Sequence, residues 1–535
     1  MTEVCDIDAM LSHVGDFGKF QLLLMLFFSL INILSAFHYF GQTFISVVPE
    51  YECVFPGNKE NVVIDQCELT MFSENSSQYS IPCPNGWNFN KNTTFGYIGI
   101  IEDLNWVCAD DWKPALGQSV FFVGSVVGSL TLGVLADMIG RLHVLIIANM
   151  LAFIGNIATI FSSNVSIFAV SRFVAGCATD SNFVMMYIIV MEYMRPNLRT
   201  MGLNLCIGVF YCLSCTAIPW VAVFLGNWRF FLVFVSLPHL LVLGFYLTVP
   251  ESAQWLASKG RTEEAIDCFR KIAKINGYNI DEKAVEGLRV YCKDHMNVKT
   301  EHESLLGLLK TPKLRRKTLI LIFKSMVMTL CYDAISRDVN GLGYSPFVVF
   351  SITSLTILPA CLFILAVQDK AGRKALASSS LLLSGIFSAT SGVLKALAED
   401  PDPRTIVVLA VIARLGINVA YNSGAQYAVE LIPTAVRGQG VAAIHVTGYA
   451  ASFFSPQILY LASYWAPGPS VILGGLLVLG ALACLFLPET LNRALPVTLE
   501  DGEEFGEGEG VFDFACCRAS SESTVALDSE GSVRA

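Results

Sequence analysis

Charged residues are scarce in this chain of 535 residues, in which Asp, Glu, Lys and Arg together make up 15%. Soluble domains carry about 25% charged residues. A chain that is 54% hydrophobic, with a mean hydropathy of +0.56, cannot present an ordinary water-facing surface. The composition therefore excludes an ordinary soluble domain, and the net charge of −10 comes mainly from polar loops and the tail.

Motifs for enzymatic chemistry are also missing from the sequence. It has only seven histidines and neither an HExxH nor a GxSxG motif, so we expect no metal site, no cofactor and no enzymatic activity. Its basic clusters are not interleaved with aromatic residues, which argues against a nucleic-acid partner. The apolar run after Phe20 is too long for the core of a signal peptide, and we expect it to remain as a first membrane span.

Long apolar runs dominate the rest of the sequence. A membrane-spanning helix needs about 20 mostly apolar residues. Twelve such runs occur, at 20–47, 115–136, 143–163, 168–190, 201–225, 229–250, 318–338, 346–367, 375–396, 405–427, 441–463 and 470–488. The predicted fold is an all-α membrane protein whose twelve transmembrane helices form two pseudo-symmetric six-helix halves, residues 20–250 and 318–490.

Short motifs repeat between these halves. Each half contains a D-x-x-G-R motif, a Glu seven residues before the Arg of an R-x-x-G motif, and a P-E-[ST] motif, and the second copies follow the first by 232 to 238 residues. Membrane proteins built from two related halves are often transporters, which bind substrate between the halves. The repeat therefore predicts a carrier.

The loops predict the orientation of the chain in the membrane. The segment 251–317 holds 14 of the 35 Lys and Arg residues, which places it in the cytoplasm together with the N-terminus (1–19) and the C-terminal tail (491–535). The tail is rich in Gly, Glu and Ser, and we predict that it is disordered. Its Cys516 and Cys517 are compatible with free thiols or with palmitoylation.

The loop over 48–114 then lies outside the cell. Two N-glycosylation sequons, at Asn75 and Asn92, suit that side. An oxidising compartment also favours two disulfides over four free thiols, with three pairings open, among Cys53, Cys67, Cys83 and Cys108.

The repeated motifs resemble those of the major facilitator superfamily. Finer features resemble the organic cation, carnitine and organic anion transporters (solute carrier 22 type): the cysteine-containing first loop, CPNGW at 83–87, EDLNWVC at 102–108, PESAQWL at 250–256 and ELIPTAVR at 430–437. The resemblance implies a plasma-membrane carrier that works by alternating access. It also implies that the following residues control switching and do not contact substrate: Asp137, Gly140, Arg141, Glu192, Arg199, Asp369, Gly372, Arg373, Glu430 and Arg437.

Ionisable residues within spans are candidates for function because each is costly in a bilayer. Asp180 could bind an amine or pair with a neighbouring helix, and Asp333 could instead pair with Arg337 four residues later. Arg172 and Arg414 are braces or ligands, and His445 is a packing residue or a ligand. The predicted substrate site contains Asp180, Tyr332, Asp333, Tyr421, Asn422, His445 and Tyr449.

Departures from the family pattern bear on the substrate. The resemblance implies that transporters of simple organic cations have acidic residues where this chain has Ile357, Asn422 and Tyr449, and that organic anion transporters often have a cation at the Tyr449 position. We therefore expect a small organic cation or an amine-bearing zwitterion, such as carnitine-like, β-alanine-like or carcinine-like compounds. An organic anion transporter and a non-transporting receptor are the alternatives. The sequence is compatible with transport coupled to an ion. It does not determine the oligomeric state. We expect membrane lipid to surround the chain.

Overall fold

The structure is a computed structural model of the full chain. It describes residues 7–15, 18–55, 62–64, 66–72, 78–194, 206–297, 305–339, 343–398, 401–493 and 495–515. Among the sequence predictions, Arg199, Asn75, Cys516 and Cys517 lie outside these residues.

The first half of the chain is a helical bundle. Its helices are α1 (Ile7–Val14), α2 (Lys19–Ile45), α3 (Ile100–Leu104), α4 (Trp112–Ile139), α5 (Arg141–Ile160), α6 (Val165–Gly176), α7 (Thr179–Tyr193), α8 (Cys212–Leu225), α9 (Trp228–Ser236) and α10 (Phe245–Thr248). A π-helical turn, Ile207–Tyr211, leads into α8, and the 3₁₀ segment Leu237–Gly244 joins α9 to α10.

In the part of the chain that the structure describes, three helices lie between the halves, and a second bundle follows them. The three are α11 (Ala253–Ser258), α12 (Thr262–Asn276) and α13 (Glu282–Asn297). The second bundle and the tail contain α14 (Pro312–Arg337), α15 (Pro346–Ser354), α16 (Ile357–Ala371), α17 (Arg373–Leu397), α18 (Pro403–Leu431), α19 (Arg437–Ser452), α20 (Ser455–Tyr460), α21 (Gly468–Cys484) and α22 (Leu499–Glu504). Short 3₁₀ turns occur at Leu305–Leu309, Thr434–Val436 and Leu461–Ser463.

Ten helical segments of the described chain are long and apolar enough to cross a membrane, and they correspond to the first ten predicted spans. The last two predicted runs are shorter as helices. Pro456 and the Pro467-Gly468-Pro469 sequence divide this region, so that α19 has 16 residues and α21 has 17. Proline interrupts a helix because it lacks an N–H group and clashes with the preceding turn.

The long loop between α2 and α4 carries the disulfides. β1 (Glu50–Cys53) pairs antiparallel with β5 (Trp87–Asn90), and β3 (Glu68–Phe72) pairs with both β2 (Val62–Ile64) and β4 (Gln78–Pro82). The cysteines join as Cys53–Cys83 and Cys67–Cys108, with Cα–Cα distances of 5.4 and 5.5 Å. One of the three pairings open from the sequence is thereby selected. Asn92 is exposed in the turn after β5.

We call the end of the bundle that carries this loop the disulfide face and the opposite end, which carries the repeated motifs, the motif face. Side-chain hydrogen bonds between the two halves, within the described residues, lie between the disulfide face and the middle of the bundle. In the first half these bonds involve α2, α4, the residue before α4, and α8. Their partners in the second half are on α14, α15, α20 and the α19–α20 junction. Phe40 and Phe44 pack against Phe350 with ring centroids 5.4 and 5.0 Å apart. The halves are therefore in contact near the disulfide face.

The tail differs from the predicted disorder as far as residue 515. Lys313 and Leu314 donate backbone N–H bonds to Glu503, and the Thr434 and Ala435 backbones donate to the carbonyls of residues 496 and 497. Charges on α14 and the repeated-motif region attract this acidic segment, an effect that its composition alone does not reveal.

Candidate functional site

A buried ion pair on α14 is hydrogen-bonded to α2 of the other half below the disulfide face. Arg337 Nε lies 2.7 Å from Asp333 Oδ1, and the side chains of the two residues are 2% and 0% exposed. Tyr39 Oη donates to the same Asp333 oxygen at 2.7 Å, and Ser455 Oγ donates to Oδ2 at 2.6 Å. Arg337 also donates to Thr43 Oγ1 and to the Tyr39 carbonyl, both at 2.9 Å.

This arrangement matches the ion pair that the i,i+4 spacing allowed. It neutralises the carboxylate of Asp333 and occupies both of its oxygens. In the conformation described here, Asp333 thus links α2, α14 and α20 through hydrogen bonds. It is not free to bind a substrate amine.

Asp180 has a different environment. It is the second residue of α7, directly after the break that separates this helix from α6, and its side chain is half-buried. Ser129 Oγ donates to Asp180 Oδ2 at 3.1 Å, and no Lys, Arg or His of the described chain forms an ion pair with it. Within the described residues, the carboxylate of Asp180 is therefore available to pair with an external cation.

Two tyrosines of the second half lie within electrostatic range of Asp180. The rings of Tyr332 and Tyr421 are 4.5 Å apart with an interplanar angle of 31°. Asp180 interacts electrostatically with Tyr421 and Tyr449, and these two phenols also interact with each other. Three of the predicted site tyrosines therefore gather with Asp180 at the interface between the halves.

The two buried arginines have different surroundings. Arg172 donates to Asn156 Oδ1 at 2.9 Å and through Nε to Thr159 Oγ1 at 3.0 Å, which is the contact set of a structural brace. Arg414 donates only from Nη1 to the Tyr332 carbonyl, at 3.2 Å, and its Nε and Nη2 have no hydrogen-bond partner in the described chain. Its guanidinium carbon lies 4.9 Å from the Tyr332 ring centroid. A buried donor left without a partner is costly, so Arg414 has unused capacity to bind an anion.

Two further predicted site residues are exposed. Asn422 donates from Nδ2 to the Asn418 carbonyl of its own helix at 2.9 Å. His445 is exposed one turn before Tyr449 on α19. Both lie on the two helices that supply Tyr421 and Tyr449, but the described contacts do not tie them to Asp180.

The repeated motifs meet at the motif face with the same geometry in each half. Glu251 accepts hydrogen bonds from the backbone N–H groups of Arg141, at 2.8 Å, and Leu142, at 3.1 Å, which are the first residues of α5. In the second half, Glu489 accepts from the N–H groups that begin α17, those of Arg373 at 2.9 Å and Lys374 at 3.2 Å. The Glu of each P-E-[ST] motif thus caps the helix that follows D-x-x-G-R.

The glycine of each motif makes this capping geometry feasible. Gly140 and Gly372 have φ angles of +106° and +92°, and a Cβ atom at either would lie 2.3 Å from the carboxylate Oε2 of Glu251 or Glu489. Glycine adopts positive φ without the penalty that other residues pay.

Ion pairs complete each motif. Arg141 lies 3.1 Å from Asp137, and Arg373 lies 3.0 Å from Asp369 and 3.3 Å from Glu430. Glu192 and Glu430 accept hydrogen bonds from the hydroxyl groups of Ser252 and Thr490, the last residues of the P-E-[ST] motifs. Arg437 donates to the Ile432 carbonyl at 3.3 Å.

Two features of this region were not predicted from the sequence. Lys324 is 1% exposed within α14 and donates from Nζ to the Gly424 carbonyl at 2.6 Å. Its position inside an apolar run was a visible signal. Tyr39 gave no such signal, because an isolated tyrosine in a span is usually a packing residue and its partner Asp333 is 294 residues away.

Solved structures establish the fold class. The chain superimposes on the inward-open xylose transporter XylE from E. coli with a TM-score of 0.61 and 18% identity, over 90% of this chain and 99% of that one. A partially occluded inward-open form gives a TM-score of 0.59, over 90% and 100%. XylE is a proton:xylose symporter of the major facilitator superfamily. The described chain thus has the all-helical fold of a major facilitator membrane transporter.

Sequence comparison defines the family. The profile of the "Sugar (and other) transporter" family matches residues 65–498. The chain is 27% identical to an organic cation transporter protein of Drosophila melanogaster, over 94% of this chain and 95% of the relative. It is also 27% identical to organic cation/carnitine transporter 2 of Homo sapiens, over 92% and 93%.

The chain therefore belongs to the sugar (and other) transporter family. Its similarity to organic cation and carnitine transporters confirms the resemblance predicted from its motifs. The prediction that it is not an enzyme is also confirmed, since its relatives are transporters.

Proposed function

We propose that this protein is a plasma-membrane secondary transporter that moves small organic cations or amine-bearing zwitterions by alternating access. The observation that carries the proposal is Asp180, a half-buried carboxylate between the halves with no cation partner in the described chain. Tyr421 and Tyr449 flank it, and aromatic faces attract ammonium groups. Relatives named as organic cation and carnitine transporters support the same substrate class.

The unpartnered nitrogens of Arg414 favour a zwitterion over a simple cation. Asp180 would attract the amine of the substrate, and Arg414, which lies over the Tyr332 ring, would attract its carboxylate. A carnitine-like, β-alanine-like or carcinine-like compound presents an amine with a second polar or acidic group. Tyr332 and Tyr421, stacked between α14 and α18, would form the wall that joins the two charges.

The same arginine supports one competing function. A buried guanidinium with two unpartnered nitrogens is what an organic anion transporter would need, and Arg172 and Arg337 are already occupied. Asp180 argues against this alternative because a carboxylate in the proposed site would repel an anion.

Transport requires that the site open to each side in turn. We propose twelve spans, with α19–α20 and α21 as the last two, and an outer side that corresponds to the disulfide face. The disulfides and the exposed Asn92 sequon support this orientation, as does the basic segment at the motif face, so both termini would be cytoplasmic. The hydrogen bonds that link Asp333 to α2 and α20 would close the outer side. The helix caps formed by Glu251 and Glu489 would control the inner side.

The energy source depends on substrate charge. A cation would be driven inward by the membrane potential, at about 2.3 kcal/mol per charge per 100 mV. A zwitterion gains nothing from that potential, so its accumulation would require exchange or a coupled ion.

The test is uptake of labelled carnitine, choline, β-alanine, carcinine and urate by cells that express the wild type, Asp180→Asn or Arg414→Gln. We expect Asp180→Asn to lose uptake of every amine and Arg414→Gln to lose the zwitterions more than choline. Asp267→Asn, on the exposed face of α12, is the matched control for expression and removal of one carboxylate. Unchanged amine uptake in Asp180→Asn would remove this residue from the site, and uptake of urate alone would favour the anion transporter.

A further inference from the structure

A basic corner lies at the motif face where α14 begins. We define it as Lys313, Arg315, Arg316 and Lys317, four basic residues in the first two turns of α14. Lys313 and Lys317 are engaged by the tail. Lys313 Nζ lies 2.6 Å from Glu507 Oε1, and Lys317 Nζ donates to the carbonyl of Gly502 at 2.9 Å.

Arg315 and Arg316 are different. Both are exposed, and neither has a carboxylate or hydrogen-bond partner in the described chain. Among the described residues, the Arg316 side chain makes only a cation–π contact, with its guanidinium carbon 5.5 Å from the Phe486 ring centroid. Two adjacent guanidinium groups can bind phosphate oxygens in a bidentate manner that lysine cannot match.

An exposed apolar strip of α14 starts directly below these arginines. It borders an open depression of about 400 Å³ whose lining residues all belong to α14: Pro312, Arg315, Arg316, Leu319, Ile320 and Phe323. Leu319 is 53% exposed and Phe323 is 41% exposed. The strip follows α14 away from the polar end of the helix and into its apolar part. A ligand that is charged at one end and hydrocarbon at the other matches both parts of this surface.

Carboxylates of the tail bind at this basic corner. Glu503 accepts the backbone N–H bonds of Lys313, at 3.0 Å, and Leu314, at 2.5 Å, and so caps α14. The hydrogen bond from Lys313 lowers the pKa of Glu507. A cavity of about 500 Å³ lies between the basic corner and the tail, and Arg316 lines both this cavity and the depression.

We propose that the basic corner binds the headgroup of an anionic phospholipid, with Arg315 and Arg316 on its phosphate and an acyl chain along Leu319 and Phe323. The tail carboxylates of Glu503 and Glu507 hold the other side of the corner and compete with the headgroup. The site is separate from Asp180, so it stands or falls independently of the transported substrate.

The experiment measures the affinity of the purified full chain for dioctanoyl phosphatidylserine in phosphatidylcholine nanodiscs. In Arg315→Gln/Arg316→Gln we expect about thirtyfold weaker binding, from the contribution of two basic residues at a charged lipid surface. Lys259→Gln/Lys274→Gln, which removes two exposed cations from the helices between the halves, is the matched control and should change affinity less than twofold. Thermal unfolding in phosphatidylcholine alone checks that each variant folds.

Two further arms separate the alternatives. Glycerophosphoserine and inorganic phosphate carry the charge without acyl chains, and equal binding of either would overturn the lipid assignment in favour of a simple phosphate site. Glu503→Gln/Glu507→Gln should bind phosphatidylserine more tightly, and this variant also tests the proposal if the double arginine variant fails to fold. Equal affinity in the wild type and the arginine variant, or weaker binding in the glutamine variant, would overturn the proposal.

Discussion

The hydrogen-bonded contact at Asp333 predicts how a substitution would change the closure of the disulfide face. Asp333→Ala leaves Arg337, whose side chain is 2% exposed, without its carboxylate, and it also removes the acceptor of Tyr39 and Ser455. Removing one partner of a buried ion pair costs about 3–5 kcal/mol. Both residues of this pair are also hydrogen-bonded to α2 of the other half, so this cost falls on the conformation that is closed at the disulfide face. We expect the population to move by about two to four orders of magnitude towards a form open at that face.

A native cysteine can report the opening. Cys212 is buried in α8 and lies across the interface from the Ser354 carbonyl, with its Sγ 3.6 Å from that oxygen. Asp333→Ala should raise the labelling rate of Cys212 by a membrane-impermeant maleimide added outside the cell at least tenfold. The signal is defined as the labelling that is lost in Cys212→Ser, and Asp267→Ala is the control. An unchanged rate in a folded, surface-expressed Asp333→Ala protein would refute the view that this ion pair holds the outer side closed.

Three other predictions concern the motif face and the loop. Gly372→Ala should abolish transport without loss of surface expression, because a Cβ would lie 2.3 Å from Glu489 Oε2. Gly438→Ala, which has open space at its Cβ, is the control and should retain most uptake. Similar uptake by the two variants would contradict the capping role. Cys67→Ser/Cys108→Ser should lower stability by about 2–4 kcal/mol and lower surface expression, measured by biotinylation and thermal unfolding. Asn92→Gln should remove one glycosidase-sensitive mass step on a gel, and an unmodified wild-type Asn92 would contradict the proposed outer side.

Much of the fold follows from local sequence. Apolar runs of sufficient length specify helices in a membrane, and the first ten predicted spans match the ten that meet the length and hydropathy criteria. The D-x-x-G-R and P-E-[ST] motifs were found as repeats, but their spacing does not show that Glu251 and Glu489 cap α5 and α17. That contact joins residues more than 100 positions apart, which only the packed bundle brings together.

The candidate site was partly predictable for the same reason. The Asp333–Arg337 pair is one turn of helix, so its spacing indicated it. The free nitrogens of Arg414 were not predictable, since they depend on which side chains from other helices fail to reach it. The ordered structure of residues 495–515 was not predictable either. An acidic, Gly-rich composition predicts disorder, and the stabilising charges lie on α14.

The proposed function is transport of an amine-bearing substrate that depends on Asp180. The most direct test is flux into proteoliposomes that contain the purified full chain, with labelled carnitine and β-alanine and an imposed potential. We expect saturable uptake above that of empty liposomes by the wild type and its loss in Asp180→Asn, in protein that unfolds at the same temperature. Binding without flux in the wild type, or full flux in Asp180→Asn, would contradict it.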